Sequence, residues 1–210
     1  MGWPEGLSDA EMRPIAAFDF DGTLTIRDSF TAFLAWRMSP VAMLAAAARL
    51  APALAVYLID RDRGRLKAAA IRALLGRLTR PELQAQADAF ATACAGRLLR
   101  PDACAAWARH RAEGCTLVIV TASPEDTVAP FARQLGADAL IGTRLKTDGQ
   151  GRLTGALDGP NCRGPEKVRR LHDAFGPNLR LVAAYGDTAG DREMLAAADA
   201  GYMKLFKGRP

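Results

Sequence analysis

The sequence predicts an α/β protein: a doubly wound parallel sheet carrying an early all-helical insertion. Three observations carry this reading. From residue 114 onward, short uncharged runs alternate with helical patterns, an order that favours parallel strands joined by right-handed crossovers. The strand candidates are apolar without a polar alternation, as in a sheet covered on both faces. The stretch over 29–113 is helical and far longer than a crossover needs, so it reads as an inserted subdomain.

The first strand spans about 15–20 and ends in Phe18-Asp19-Phe20-Asp21-Gly22-Thr23. Side chains two apart on a strand share a face, so Asp19 and Asp21 point together while Phe18 and Phe20 anchor the other side. Two adjacent carboxylates repel, and a bound cation relieves them; Mg²⁺ suits an all-oxygen donor set. Gly22 and Thr23 supply a tight turn whose amides can face an anion.

In the insertion, Pro40, Pro52, Pro81 and Pro101 are expected to divide the chain into four helices. Ligands bind such sheets at the carboxyl ends of the strands, so an insertion leaving that edge can lie over the site as a cap. The expected division is a core of 14–27 and 114–210, with a cap of 28–113.

Strands follow at Leu117-Val118-Ile119-Val120, Ala139-Leu140-Ile141, Leu181-Val182-Ala183-Ala184-Tyr185 and, weakly, Ala200-Gly201-Tyr202-Met203. Helical patterns fill about 125–135, 165–175 and 190–198, and Asp148-Gly149-Gln150-Gly151 reads as a hairpin turn. Thr121, at the end of the second strand, and the amides beside it can hold a phosphate oxygen. Ser123 reads as a helix N-cap with Pro124 at the first helical position. Lys167 sits in the first turn of a helix, against the dipole, which an anion at the sheet edge would explain. Asp187 closes the fourth strand, and Asp191 follows one helical turn later. Strand ends bearing Asp-x-Asp, Thr and Asp, with one misplaced lysine, specify a metal-assisted phosphate site.

These four segments resemble, in order and spacing, the four motifs of the haloacid dehalogenase superfamily, over residues 14–203. The resemblance implies a Rossmann-like core with a helical cap inserted after the first motif, as in phosphoserine phosphatase. It implies Asp19 as nucleophile and Asp21 as general acid/base, with Gly22, Thr121, Ala122 and Lys167 binding phosphate. Asp19, Asp21 through its carbonyl, and Asp187 would ligate Mg²⁺, and Asp191 would support the metal's water shell and Lys167. An acid at position 21 resembles phosphatases and mutases, so hydrolysis of a phosphomonoester, such as a lipid phosphate, leads; a phosphoserine or other small-molecule phosphatase is the alternative, and a phosphotransferase ranks below it. Phosphoserine phosphatases carry Glu where this chain has Asp28, a candidate for substrate selection, and usually Ser where it has Gly22. Asp28-Ser29-Phe30, Thr121-Ala122-Ser123-Pro124 and Cys162-Arg163-Gly164-Pro165-Glu166-Lys167 are similar to phosphatidylglycerophosphatase C, a membrane-associated bacterial member.

Composition narrows the class. Half of the 210 residues are apolar and a quarter charged, with a net charge of +5. The segment from Asp60 to Arg80 alone holds seven cations and two acids, which equals the whole excess. The chain lacks a zinc-finger, RNA-recognition or aromatic-interleaved basic pattern, so no nucleic acid is expected. Cys94, Cys104, Cys115 and Cys162 lack paired spacing, and residues 1–5 lack a secretory pattern; reduced thiols and a cytoplasmic protein are expected. Between Val41 and Ile59 the only charge is Arg49. That run, followed by the basic segment, suggests a bent helical hairpin resting at the inner face of an anionic membrane, or the bundle core of a soluble cap, rather than a membrane span.

Overall fold

The computed structural model describes residues 13–61, 63–76 and 78–210. Residues 1–12, with the amino-terminal stretch read above, and Asp62 and Arg77 of the basic segment lie outside the described residues, as do the side chains of 40, 43 and 62–68. The strands are β1 (Ile15–Phe18), β2 (Thr116–Pro124), β3 (Ala139–Thr143), β4 (Leu145–Thr147), β5 (Leu153–Leu157), β6 (Leu181–Gly186) and β7 (Ala200–Met203). The helices are α1 (Ser29–Arg37), α2 (Pro40–Asp60), α3 (Arg63–Leu75), α4 (Arg80–Leu98), α5 (Pro101–Ala112), α6 (Glu125–Gln134), α7 (Pro165–Phe175) and α8 (Arg192–Ala196).

Five strands form one sheet in the order β3-β2-β1-β6-β7. Every pairing in it is parallel, with Phe18 level with Ile119 on one side and Tyr185 on the other. The chain winds outward from β1 through β2 to β3, then returns to β6 on the opposite flank. β1 is therefore the switch point, where a crevice opens at the carboxyl ends. β4 and β5 pair antiparallel as a separate hairpin around the expected turn.

The period-two rule divides the core. Ala16, Phe18, Leu117, Ile119, Ala183 and Tyr185 face one apolar cluster, and Ile15, Ala17, Val118, Val120 and Ala184 face the other. The first cluster includes Trp107 of α5 and Phe131 of α6, the second Leu171 of α7 and Met194 of α8. Phe18 stacks on Tyr185 at 4.4 Å and meets Trp107 at 5.0 Å between ring centroids. Truncating so central a ring to alanine costs about 3–5 kcal/mol.

The chain leaves and re-enters the core through a paired stem. Thr25 bridges Leu99 antiparallel, Ile26 N–H donates to the Leu98 carbonyl at 2.9 Å, and Arg100 N–H donates to the Leu24 carbonyl at 2.8 Å. Within the stretch assigned to the cap, α5 follows this stem and packs on the sheet. Trp107 Nε1 donates to the Leu135 carbonyl at 3.0 Å, and His110 Nε2 lies 2.8 Å from the Tyr185 hydroxyl. α4 is tied to the core by Arg80, whose guanidinium donates to the Leu145 carbonyl at 2.6 Å and meets the buried Asp126 at 3.6 Å.

Prolines 40, 81 and 101 sit at the first or second position of α2, α4 and α5. Pro52 does not divide the chain: it lies inside α2, which runs unbroken for 21 residues instead of folding into a hairpin. The proline removes one hydrogen bond, while alanines at 45–48, 51, 53 and 55 favour helix on both sides of it. The break comes at Arg61, in the left-handed region at φ 55°. Among the described residues no helix is long and apolar enough to cross a membrane.

Candidate active site

The site is assembled from three strand ends, those of β1, β2 and β6, and the first turn of α7. β1 hands over to Asp19, whose N–H donates to the Tyr185 carbonyl at 2.8 Å and so ties the first motif to β6. The chain then winds through a helical turn, Phe20–Leu24, with Gly22 at φ 81°. A Cβ on Gly22 would lie 2.2 Å from Asp187 Oδ2, so a side chain there would have to displace the carboxylate of the fourth motif from this position.

Lys167, the third residue of α7, is 1% exposed. Its ammonium donates three hydrogen bonds: to Asp19 Oδ1 at 2.6 Å, to Asp191 Oδ1 at 2.6 Å and to the Val120 carbonyl at 2.7 Å. That set uses all its protons and joins the ends of β1, β2 and the turn after β6. It also explains a cation at a helix N-terminus, since two carboxylates outweigh the dipole. α7 is set against β3 by Arg170, which donates to the Pro160 carbonyl at 2.6 Å and to the Gly142 carbonyl.

Asp191 Oδ2 accepts from Thr188 N–H at 2.9 Å, Thr188 Oγ1 at 3.0 Å and Asp187 N–H at 3.2 Å. Both Asp191 oxygens are thus engaged, making it a brace for Lys167 and for the turn that carries Asp187. Asp187 differs: its Oδ1 is buried without a hydrogen-bond partner among the described residues. Carboxylate oxygens of Asp19, Asp187 and Asp191 lie within 4.8 Å of one another. An orphaned buried carboxylate oxygen beside a second carboxylate, in an all-oxygen donor set, fits a hard divalent cation such as Mg²⁺.

Charge follows the same geometry. Burial lifts Asp19 to about 7, with Asp191 and Asp21 adding to the rise and Lys167 opposing it. Burial disfavours the Lys167 ammonium, but Asp19 and Asp191 outweigh this and hold it above its ordinary value. Asp187 is raised by burial and then by Asp191. A cation seated among these oxygens restores their ionised form.

Asp21 is oriented by two donors: Ser29 N–H to Oδ1 at 2.6 Å and Ser123 Oγ to Oδ2 at 2.5 Å. Burial raises it, and the charge of Asp28 raises it further. A carboxyl whose affinity for a proton is raised in this way suits a general acid.

Ser123 corrects the sequence expectation of a helix cap. β2 continues through Pro124, which pairs with Thr143 of β3, so the N-cap position falls on Pro124 and no side chain caps α6. Ser123 is instead a buried neighbour of Asp21. Spacing could have found it, because Thr121 and Ser123 lie two apart on a strand, as Asp19 and Asp21 do at the end of theirs. Thr121 is fully buried, with its Oγ1 accepting from Ser123 N–H at 3.0 Å, while Ala122 and Ser123 line the cleft. Asp28 lines the cleft too, but its Oδ1 caps α1 by accepting from Thr31 N–H at 2.6 Å.

The cleft above these residues has a volume of about 430 Å³ and is also lined by Arg27, Arg100 and Arg163, three cations the sequence motifs did not single out.

Comparisons with known proteins agree with this geometry. The haloacid dehalogenase-like hydrolase profile matches residues 16–196. Protein CicA of Caulobacter vibrioides is 57% identical over 196 residues, covering 93% of this chain and 88% of that protein. Among solved structures, a Bordetella pertussis Tohama I protein of unknown function superposes with a TM-score of 0.73 at 27% identity, covering 89% of this chain and 87% of the other. A phosphoserine phosphatase, solved as a phospho-aspartyl intermediate analogue, has a TM-score of 0.56 at 20% identity, covering 92% and 86%; that likeness speaks for the fold. With its fold, its four converging motifs and a family match over most of its length, this chain belongs to the haloacid dehalogenase-like hydrolases.

Proposed function

We propose that the protein is a Mg²⁺-dependent phosphomonoester hydrolase that works through an aspartyl-phosphate on Asp19. The observation that carries this is the buried Lys167 ammonium joining Asp19 and Asp191 at 2.6 Å, beside the unpartnered Asp187 oxygen. Among the described residues Asp19 Oδ2 accepts one hydrogen bond, from Thr23 Oγ1 at 3.4 Å, which leaves it the freer oxygen for attack.

In this reading Asp19 attacks phosphorus, forming a P–O bond to the carboxylate as the P–O bond to the alcohol breaks. Asp21 gives its proton to the departing alcohol, then takes one from the water that attacks the phospho-aspartate. The amides of the turn after Asp19, with Ala122, would meet the phosphoryl oxygens, and the nearby charge of Lys167 would offset theirs. Asp19, the Asp21 carbonyl and Asp187 would hold Mg²⁺, which when bound offsets the charge that otherwise sets an anionic substrate against an anionic nucleophile. Asp191 holds Lys167 and the Asp187 turn in register.

The proposal extends to location. On α2, Val41, Leu44, Leu58 and Ile59 are exposed, and the basic segment follows in the chain. This supports a cap that docks on an anionic membrane surface and a substrate that includes a lipid phosphate.

The decisive assay measures phosphate release from a panel of phosphomonoesters with Mg²⁺ and with EDTA, for the wild type and Asp19→Asn. Release that survives EDTA or the substitution would sink the mechanism, and label transferred to an acceptor alcohol would favour phosphotransfer. Flotation with anionic and neutral vesicles tests docking; equal recovery with both argues against it.

A further inference from the structure

We infer that Arg27, Arg100 and Arg163 form an anion subsite, so that the preferred substrates are phosphomonoesters whose leaving alcohol bears a second anionic group. This rests on the phosphatase reading and adds the substrate class to it.

All three guanidinium-bearing residues line the same cleft as Asp19 and Lys167. Lys167 is fully engaged with Asp19 and Asp191, so it has no proton left for a second anion. The arginines are different: among the described residues none of the three forms an ion pair with a carboxylate. Of the carboxylates lining the cleft, Asp28 caps α1, Asp21 is held by Ser29 and Ser123, Asp19 and Asp191 are held by Lys167, and Asp187 is the one left to the proposed cation. Like charges gathered around one cleft repel, and an anion among them relieves that repulsion.

Two of the arginines are pre-positioned. Arg100 is anchored by backbone carbonyls, donating from Nε to Thr25 at 3.2 Å and from Nη1 to Gly208 at 2.9 Å. Arg163 lies against Gly190, where an added Cβ would sit 2.6 Å from its Cζ and 2.7 Å from Nη1. The glycine of the fourth motif therefore doubles as a seat for a guanidinium. Arg27 is exposed on the segment between the stem and α1, directly before Asp28.

The remaining lining favours a polar leaving group. Only Ile26 and Ala122 among the lining residues have apolar side chains, so most of the side chains that meet the leaving group are polar or charged. At about 430 Å³ the cleft is within the range that takes a small organic molecule and not a phosphate alone. The group it accepts is polar and anionic. A carboxylate on a soluble metabolite and the phosphodiester of a lipid headgroup share that chemistry.

The test uses the Mg²⁺-loaded full chain and matched pairs differing by one anion. For turnover, 3-phosphoglycerate is compared with glycerol 3-phosphate, and phosphatidylglycerol phosphate in mixed micelles with phosphatidic acid. For binding without turnover, 3-phosphonopropionate is compared with propylphosphonate by calorimetry. The dianionic member of a pair is expected to win by about tenfold or more, the scale of one hydrogen bond to a charged group. Arg163→Met and Arg27→Met each lower that ratio several-fold, through KM more than kcat, and Arg163→Lys recovers part of it. A preference confined to the lipid pair identifies a headgroup, and one in the soluble pair a free metabolite; either supports the subsite. Hydrolysis with ratios near one, unmoved by the arginine variants, overturns the subsite and leaves the phosphatase reading intact. Tighter binding of the carboxylate phosphonate without hydrolysis of any substrate does the reverse.

Discussion

The cleft and helix α2 solve opposite solvation problems. At the carboxyl edge of the sheet Asp19, Lys167 and Asp191 are 6%, 1% and 2% exposed, ions kept from water. On α2 Val41, Leu44 and Ile59 are 79%, 75% and 87% exposed, apolar side chains kept in water. Buried ions persist only when every oxygen and proton has a partner, and the Lys167 cluster meets that condition except at Asp187 Oδ1. Exposed apolar surface carries no such constraint within the fold. Under the proposed function each exception to ordinary burial has an occupant outside the chain, a cation and phosphate in one case and a membrane surface in the other.

The largest break in this contrast is Asp19→Asn. An amide cannot serve as the nucleophile, and turnover is expected to fall on the order of 10⁴-fold or more in a steady-state assay. Lys167→Met comes next. It leaves two buried carboxylates without their counter-charge, and urea unfolding of the metal-free protein should register a loss of about 3–5 kcal/mol. If stability is unchanged, the cluster is not the buried ion network described here. Mg²⁺ should recover part of that loss by binding the folded state alone.

Ser123→Ala removes a single charge-assisted hydrogen bond from Asp21. A loss of about 10–100-fold in kcat is expected, with Ser123→Thr retaining more activity; equal rates for all three proteins would return Ser123 to a structural role. The smallest effect belongs to α2. Leu44→Ser and Ile59→Ser should shift stability by no more than about 0.5 kcal/mol, because neither side chain is buried. The same pair should reduce recovery with anionic vesicles in flotation. A large stability loss would mean that these side chains are covered within the protein, and would remove the contrast.

Local rules carried most of the catalytic reading. The Asp-x-Asp pair, the Gly-Asp-Thr turn after β6 and the lysine set against a helix dipole are all legible because they depend on near neighbours in the chain. Two expectations failed. Pro52 reads locally as the bend of a hairpin over Val41 to Ile59, yet α2 continues through it as one helix. Ser123 reads locally as a cap, but β3 draws β2 on through Pro124 and turns the serine toward Asp21.

By itself the sequence determined which chemical groups reach the carboxyl edge of the sheet, since strand and helix periods are properties of the backbone. Only the tertiary structure decided how those groups pair. Lys167 meets Asp19 across 148 residues and Ser123 meets Asp21 across 102. Arg163 finds its seat on Gly190 because two separate turns pack together. Such partnerships depend on how finished elements dock, and docking is governed by the whole core rather than by any one segment.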